Sequence, residues 1–132
     1  MKSVLLVGPL PPPTFGQAIC LQILCNSQAL SEHFSLISLN TNNVGKTFFA
    51  RVLSTLRTLL HYARILTQHR PDLVYVTISR SKLGCVRDCA FMLAAGLVGA
   101  RVVVHLHGGD LQVFYKSLRL GGKWLLRKAY GI

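Results

Sequence analysis

RVVVHLHGGD, residues 101–110, sets an apolar strand directly against two histidines, two glycines and an aspartate. The three consecutive valines Val102, Val103 and Val104 match a strand buried on both faces, the pattern of a parallel sheet. Polar chemistry follows where such a strand ends. In open α/β sheets, ligands bind outside the carboxyl ends of the strands. The stretch therefore predicts a sheet whose ligand-binding edge carries His107, Gly108, Gly109 and Asp110.

Outward from this stretch, apolar β-type runs alternate with longer helical patterns. Strands are predicted over residues 3–7, 34–39, 73–77 and 101–106. Helices are predicted over 17–30, 47–68 and 83–98, and one or two short helices fill 111–130. Four βα units in a row imply a single α/β domain over residues 1–132, a Rossmann-like parallel sheet with helices on both faces. Right-handed crossovers put the carboxyl ends of all four strands on one edge. The loops 8–16, 40–46, 78–82 and 107–110 should converge there.

A chain of 132 residues can bury a core of its own, and 51% hydrophobic residues argue against disorder. Charged residues make up only 14%, with 15 Lys and Arg against 4 acids, a net charge of +11. Such a surface attracts phosphates, nucleic acid or anionic lipid headgroups. No apolar run approaches the ~18 residues of a membrane span. Lys2 and a short apolar run precede Pro9, Pro11, Pro12 and Pro13 with no small-residue cleavage site. This reads as a first strand in a cytoplasmic protein, not a signal peptide. Cys20, Cys25, Cys85 and Cys89 fall on predicted helices without a CxxC spacing, which fits buried small residues in a reducing compartment.

The 47–68 helix is strongly amphipathic. At 100° per residue, Phe49, Val52, Leu53, Leu56, Leu59, Leu60 and Ala63 share one side, and Lys46, Arg57, His61, Arg64 and Gln68 the other. The expected arrangement is a core stripe under a solvated face. Contact with an anionic membrane surface or an acidic partner is the alternative. The tail repeats the basic tone with Lys116, Arg119, Lys123, Arg127 and Lys128.

Two motifs fail on inspection. Gly45-Lys46-Thr47 follows a strand and opens a helix, as a phosphate-binding P-loop does, but the glycine required five residues earlier is Asn40. His105 and His107 lie on one face of their strand and suggest a zinc pair. In the His-x-His-x-Asp-His pattern of a zinc hydrolase, however, Gly109 and Asp110 stand where Asp and His belong. His105 is better read as a core histidine hydrogen-bonded within the sheet. Gly16 sits between a proline-rich loop and a helix, where free N–H groups and the dipole favour an anion; a plain turn glycine is the competing reading. Thr77, Ser79, Arg80 and Ser81 suit sugar or phosphate recognition, although Ser81 serves equally well as a helix cap.

Taken together, MKSVLLVGPLPPPTFGQA, DLVYVTISRSKLGCVRD and RVVVHLHGGDLQVFY resemble the N-terminal domain of family 4-like glycosyltransferases of the GT-B fold, over nearly the whole chain. The resemblance implies transfer of a sugar from a nucleotide-sugar to a glycan or lipid acceptor, with retention and without a metal or other cofactor. It implies no nucleic-acid partner. It places Gly16 and Gln17 near the donor diphosphate and His107 at the reaction centre as the catalytic-site residue. Gly108 and Gly109 would keep the turn open, and Arg80, Asp110 and Tyr115 would contact the acceptor. Relatives carry two glycines in the first loop, where this chain has Phe15-Gly16, and a Glu-x7-Glu motif in the donor domain. The sole glutamate here is Glu32, so that motif is missing. The expectation is a truncated GT-B N-terminal domain, inactive alone, with an uncovered edge beside its fourth strand. It would be cytoplasmic, with peripheral contact at the inner face of the membrane. The alternative is a non-catalytic accessory module docking on a catalytic partner or an anionic membrane.

Overall fold

The computed structural model describes residues 1–42, 45–79, 81–108 and 111–131. Four strands, β1 (Lys2–Gly8), β2 (Phe34–Asn40), β3 (Leu73–Thr77) and β4 (Arg101–His105), form one parallel sheet in the order β2-β1-β3-β4. The connecting helices are α1 (Gly16–Cys25), α2 (Gln28–Ser31), α3 (Phe48–His69) and α4 (Lys82–Leu97). Two more, α5 (Leu111–Ser117) and α6 (Leu120–Tyr130), follow β4. The expected Rossmann-like α/β architecture is the one observed.

Strand register divides the apolar side chains between two faces. Ile37, Leu5, Val74 and Val102 form one cross-strand row, and Leu39, Val7, Val76 and Val104 the next. Both rows face the main core, which they share with Tyr62, Ile65 and Leu66 of α3, Phe91 and Met92 of α4, and Leu126 of α6. The opposite face is leaner. There α1 covers β1 and β2, with Leu6, Ala18 and Leu21 buried between them.

Local chemistry sets the boundaries. Thr47 accepts a hydrogen bond from the Ala50 N–H and starts α3; the would-be P-loop threonine is a helix cap. Ser81 starts α4 in the same way, accepting from the Gly84 N–H. Arg70 ends α3 in the left-handed conformation, just before Pro71. The predicted 17–30 helix is two helices, because Ser27 caps the Leu30 N–H and restarts the chain as α2.

Two burial expectations are corrected. β4 is an edge strand, not a strand buried on both faces: Val102 and Val104 turn toward the core, while Val103 is 43% exposed. Among the described residues no strand lies on its outer side. The larger correction concerns α3. The face it buries carries Thr55, Tyr62, Ile65 and Leu66. The Tyr62 hydroxyl donates to the Phe91 carbonyl oxygen at 2.7 Å, and the two rings sit 4.4 Å apart. That aromatic contact with α4 sets the rotation of the helix. Thr55 and Thr58 tolerate the inward side because their hydroxyls donate back to the carbonyls of Arg51 and Ser54. Of the expected core stripe, Val52 and Leu59 are half-buried, whereas Phe49, Leu53, Leu56, Leu60 and Ala63 are exposed.

At Gly8 the backbone passes too close to β3 for any side chain. A Cβ there would lie 2.1 Å from Thr77 Oγ1 and 3.0 Å from Leu21. Thr77 is buried and β-branched, so it has little room to yield. Gly8→Ala should cost about 1–3 kcal/mol of stability, measured by urea unfolding. An unchanged midpoint would show that the strand ends separate more easily than their packing indicates.

Candidate functional site

Four loops meet at the carboxyl edge of the sheet and enclose a cleft of about 540 Å³. Pro9, Phe15, Gly16 and Gln17 come from the β1–α1 connection, and Thr41 and Asn42 from the end of β2. Thr77, Ile78 and Ser79 follow from β3, and His107 and Gly108 from β4. Arg87, one helical turn into α4, completes the wall.

The loops are tied to one another. The Asn40 side-chain oxygen accepts from the N–H groups of Leu10 and Asn42, and the Asn42 amide donates to the carbonyls of Leu10 and Pro12. Gln17 donates to the Ile78 carbonyl at 3.2 Å, and the Ile78 N–H donates to the His105 carbonyl at 3.1 Å. All of these links but the one from Asn42 N–H to Asn40 cross between different βα units, so the cleft is a property of the folded sheet.

Beneath it lies a buried ion pair between sequence neighbours. Arg87 Nε and Nη2 donate to Asp88 Oδ1 at 2.9 and 2.8 Å. Arg87 Nη1 donates to the Thr41 carbonyl at 2.9 Å. Asp88 Oδ2 accepts from the Ser79 N–H at 2.7 Å. The two side chains thus pin the β2–α3 and β3–α4 loops to α4. Both are nearly inaccessible, at 5% and 1% exposed. Burial pushes the Asp88 carboxyl above its ordinary value, against the opposing pull of Arg87 and the Ser79 N–H. The pair carries no net charge into the cleft, and Arg87 keeps N–H groups beyond those used in these three bonds.

Gly16 opens α1 behind Phe15, which provides no side-chain cap. Among the described residues, no side chain at the N-cap position occupies the first-turn N–H groups of α1. A Cβ at Gly16 would meet nothing within 4 Å, so the fold itself does not demand glycine there. Gly108 is different: its φ of 88° is left-handed and favours glycine. His107 lies beside it, stacked on His105 with ring centroids 4.1 Å apart. Its Nε2 is buried and has no hydrogen-bond partner among the described residues. Desolvation first, and then the neighbouring His105, lower its pKa from 6.5, which favours the neutral ring. His105 in turn meets the Tyr75 hydroxyl through Nδ1. It is hydrogen-bonded within the sheet as expected, but on the lean face and half-buried.

Of the residues singled out from sequence, Gly16, Gln17, Thr77, Ser79, His107 and Gly108 are brought together in the cleft. Tyr115 is not among them. It sits on α5, packed against the core, with Lys123 Nζ 5.7 Å from its ring centre. Arg80, Gly109 and Asp110 lie outside the described residues. Arg87 and Asp88 were missed. The available signal was an Arg-Asp pair inside the otherwise apolar run of α4. No group of three or more metal-ligating side chains occurs among the described residues.

Asp88→Ala should destabilise the fold by about 3–5 kcal/mol, because it leaves the Arg87 charge buried and unpaired; chemical denaturation measures this. Gly16→Ala should leave stability unchanged or raise it by up to about 1 kcal/mol, which marks the glycine as dispensable for folding. A ring-proton NMR titration should give His107 a midpoint below 6.5. Because folding disfavours the protonated ring, acidification through that range should weaken the fold at this site. A midpoint at or above 6.5 would contradict the desolvated placement of His107.

Compared with family models, with curated proteins and with solved structures, the chain matches none.

Proposed function

We propose that this domain is the acceptor-side domain of a GT-B-type retaining glycosyltransferase, acting on a nucleotide-sugar and a glycan or lipid acceptor. The observation that carries the proposal is the convergence of Gly16, at the start of α1 without a side-chain cap, and the partly desolvated His107 on one cleft at the carboxyl edge of a parallel sheet. The resemblance of the first, third and last βα segments to that family assigns roles to the same two positions.

The chemistry follows from those groups. Free N–H groups at a helix start stabilise the negative charge that builds on a departing diphosphate. A neutral imidazole has one N–H donor and one acceptor nitrogen, which suits a sugar hydroxyl or ring-adjacent oxygen better than an imidazolium does. Thr77, Ser79, Gln17 and Asn42 add neutral donors and acceptors around them, the mixture that polyhydroxyl ligands require. The second reading, a non-catalytic module that docks elsewhere, draws its support from the exposed face of α3.

Residues 1–132 alone should show no sugar transfer, since the donor-side Glu-x7-Glu motif is absent from them. Amide NMR titration with nucleoside diphosphates and with oligosaccharides should still perturb Gly16, Gln17, Ser79 and His107. Perturbations confined to other surfaces, or turnover by 1–132 alone, would overturn the assignment.

A further inference from the structure

α3 has three lengthwise sectors, where an ordinary amphipathic helix has two. One sector packs on the core through Tyr62, Ile65 and Leu66. The second is apolar and exposed: Phe49 (79%), Leu53 (44%), Leu56 (52%) and Leu60 (69%). At 100° per residue these four fall within an arc of about 60°. The third is basic, with Arg57 and Arg64 on the flank away from the core and Leu60 in the groove between them. Phe48, 78% exposed, adds a further exposed apolar side chain at the start of the helix, about 100° around the axis from Phe49. From Phe49 to Leu60 the stripe runs about 16 Å.

We infer that this face of α3 docks on an anionic lipid surface. Exposed apolar stripes of this size mark interaction sites. Charge identifies the occupant. α3 holds no Asp or Glu, while Arg51, Arg57 and Arg64 lie on it and Lys46 precedes it. A second copy of the chain is disfavoured, because each carries a net charge of +11. A narrow apolar ridge edged with arginines instead has the form of an interfacial helix. Its apolar side chains enter the headgroup boundary, and its cations meet lipid phosphates. No helix among the described residues is long and apolar enough to cross a membrane, so the contact is with the surface. The inference stands independently of the sugar-transfer reading, since none of the stripe residues lines the cleft.

Co-sedimentation of the full chain with vesicles tests it. Vesicles of equimolar phosphatidylcholine and phosphatidylglycerol should bind the chain, with affinity falling as salt is raised, and pure phosphatidylcholine should bind it much more weakly. Phe49→Ser/Leu60→Ser and Arg57→Gln/Arg64→Gln should each reduce the anionic binding at least about tenfold. Leu97→Ser, at an exposed position on α4, should not. All substituted side chains are exposed or flank the groove, and circular dichroism checks that each variant folds. Phe49→Trp in a Trp124→Phe background should shift its emission to the blue on anionic vesicles. Undiminished binding by the α3 variants would assign attraction to the basic tail and overturn the proposal. Absence of vesicle binding, or capture of α3 by an acidic protein alone, would overturn it equally.

Discussion

Parallel strands can be joined only by a crossover that passes over one face of the sheet, and both faces must then be covered. The rest of this structure depends on how unevenly that cover is distributed. The face formed by Leu5, Val7, Val74 and Val76 is roofed by α3, α4 and α6 and holds most of the core. The other face has chiefly α1 and α2, and it fades toward β4, where Val103 and His105 are only partly covered. The molecule is well packed at β1 and β3 and thin at its β4 edge. The cleft lies across that gradient, with Gly16 on the better-covered flank and His107 on the thin one.

The Arg87–Asp88 pair gives the cleft definition in spite of this. A buried ion pair is weak evidence for net stability, because desolvating two charges offsets much of their attraction. Its value lies in geometry. Thr41 and Ser79 belong to different crossovers, and they are bonded to adjacent residues of α4, Thr41 to Arg87 and Ser79 to Asp88. An apolar replacement of equal volume fills the space but leaves the Thr41 carbonyl and the Ser79 N–H without these partners. The loops that shape the cleft then lose their common anchor.

The fold was legible because period and punctuation agree. Four apolar runs separated by longer helical patterns leave few alternatives to a parallel sheet, and Gly16, His107 and Gly108 fall where sheet topology delivers its loops. Side-chain destinations on the helices were less legible. For α3, the apolar arc is wider than one packing face. The choice between its halves was made by a tyrosine, Tyr62, whose hydroxyl finds a carbonyl on α4. Thr55 turned inward because a threonine on a helix satisfies itself. Neither event leaves a periodic trace. Arg87 was hidden for a related reason: its partner is its immediate neighbour, and adjacent helical residues do not ordinarily face one another. Within the predicted 17–30 helix, Asn26-Ser27 is a pair of turn-forming residues, and Ser27 caps α2 there.

The strand order β2-β1-β3-β4 also has a meaning in time. β1 precedes both of its neighbours in the chain, and its partners begin 26 and 65 residues after it ends, at Phe34 and Leu73. During synthesis it therefore waits with Leu5, Leu6 and Val7 unburied and both edges open. Pairing with β2 can shelter one edge early, but the second edge closes only when β3 has left the ribosome. Such long-range pairing folds slowly and exposes apolar edges to other chains meanwhile. A strand that lies inside the finished sheet is thus the most vulnerable segment of the nascent one. Any pause in translation between Asn40 and Leu73 prolongs that exposure.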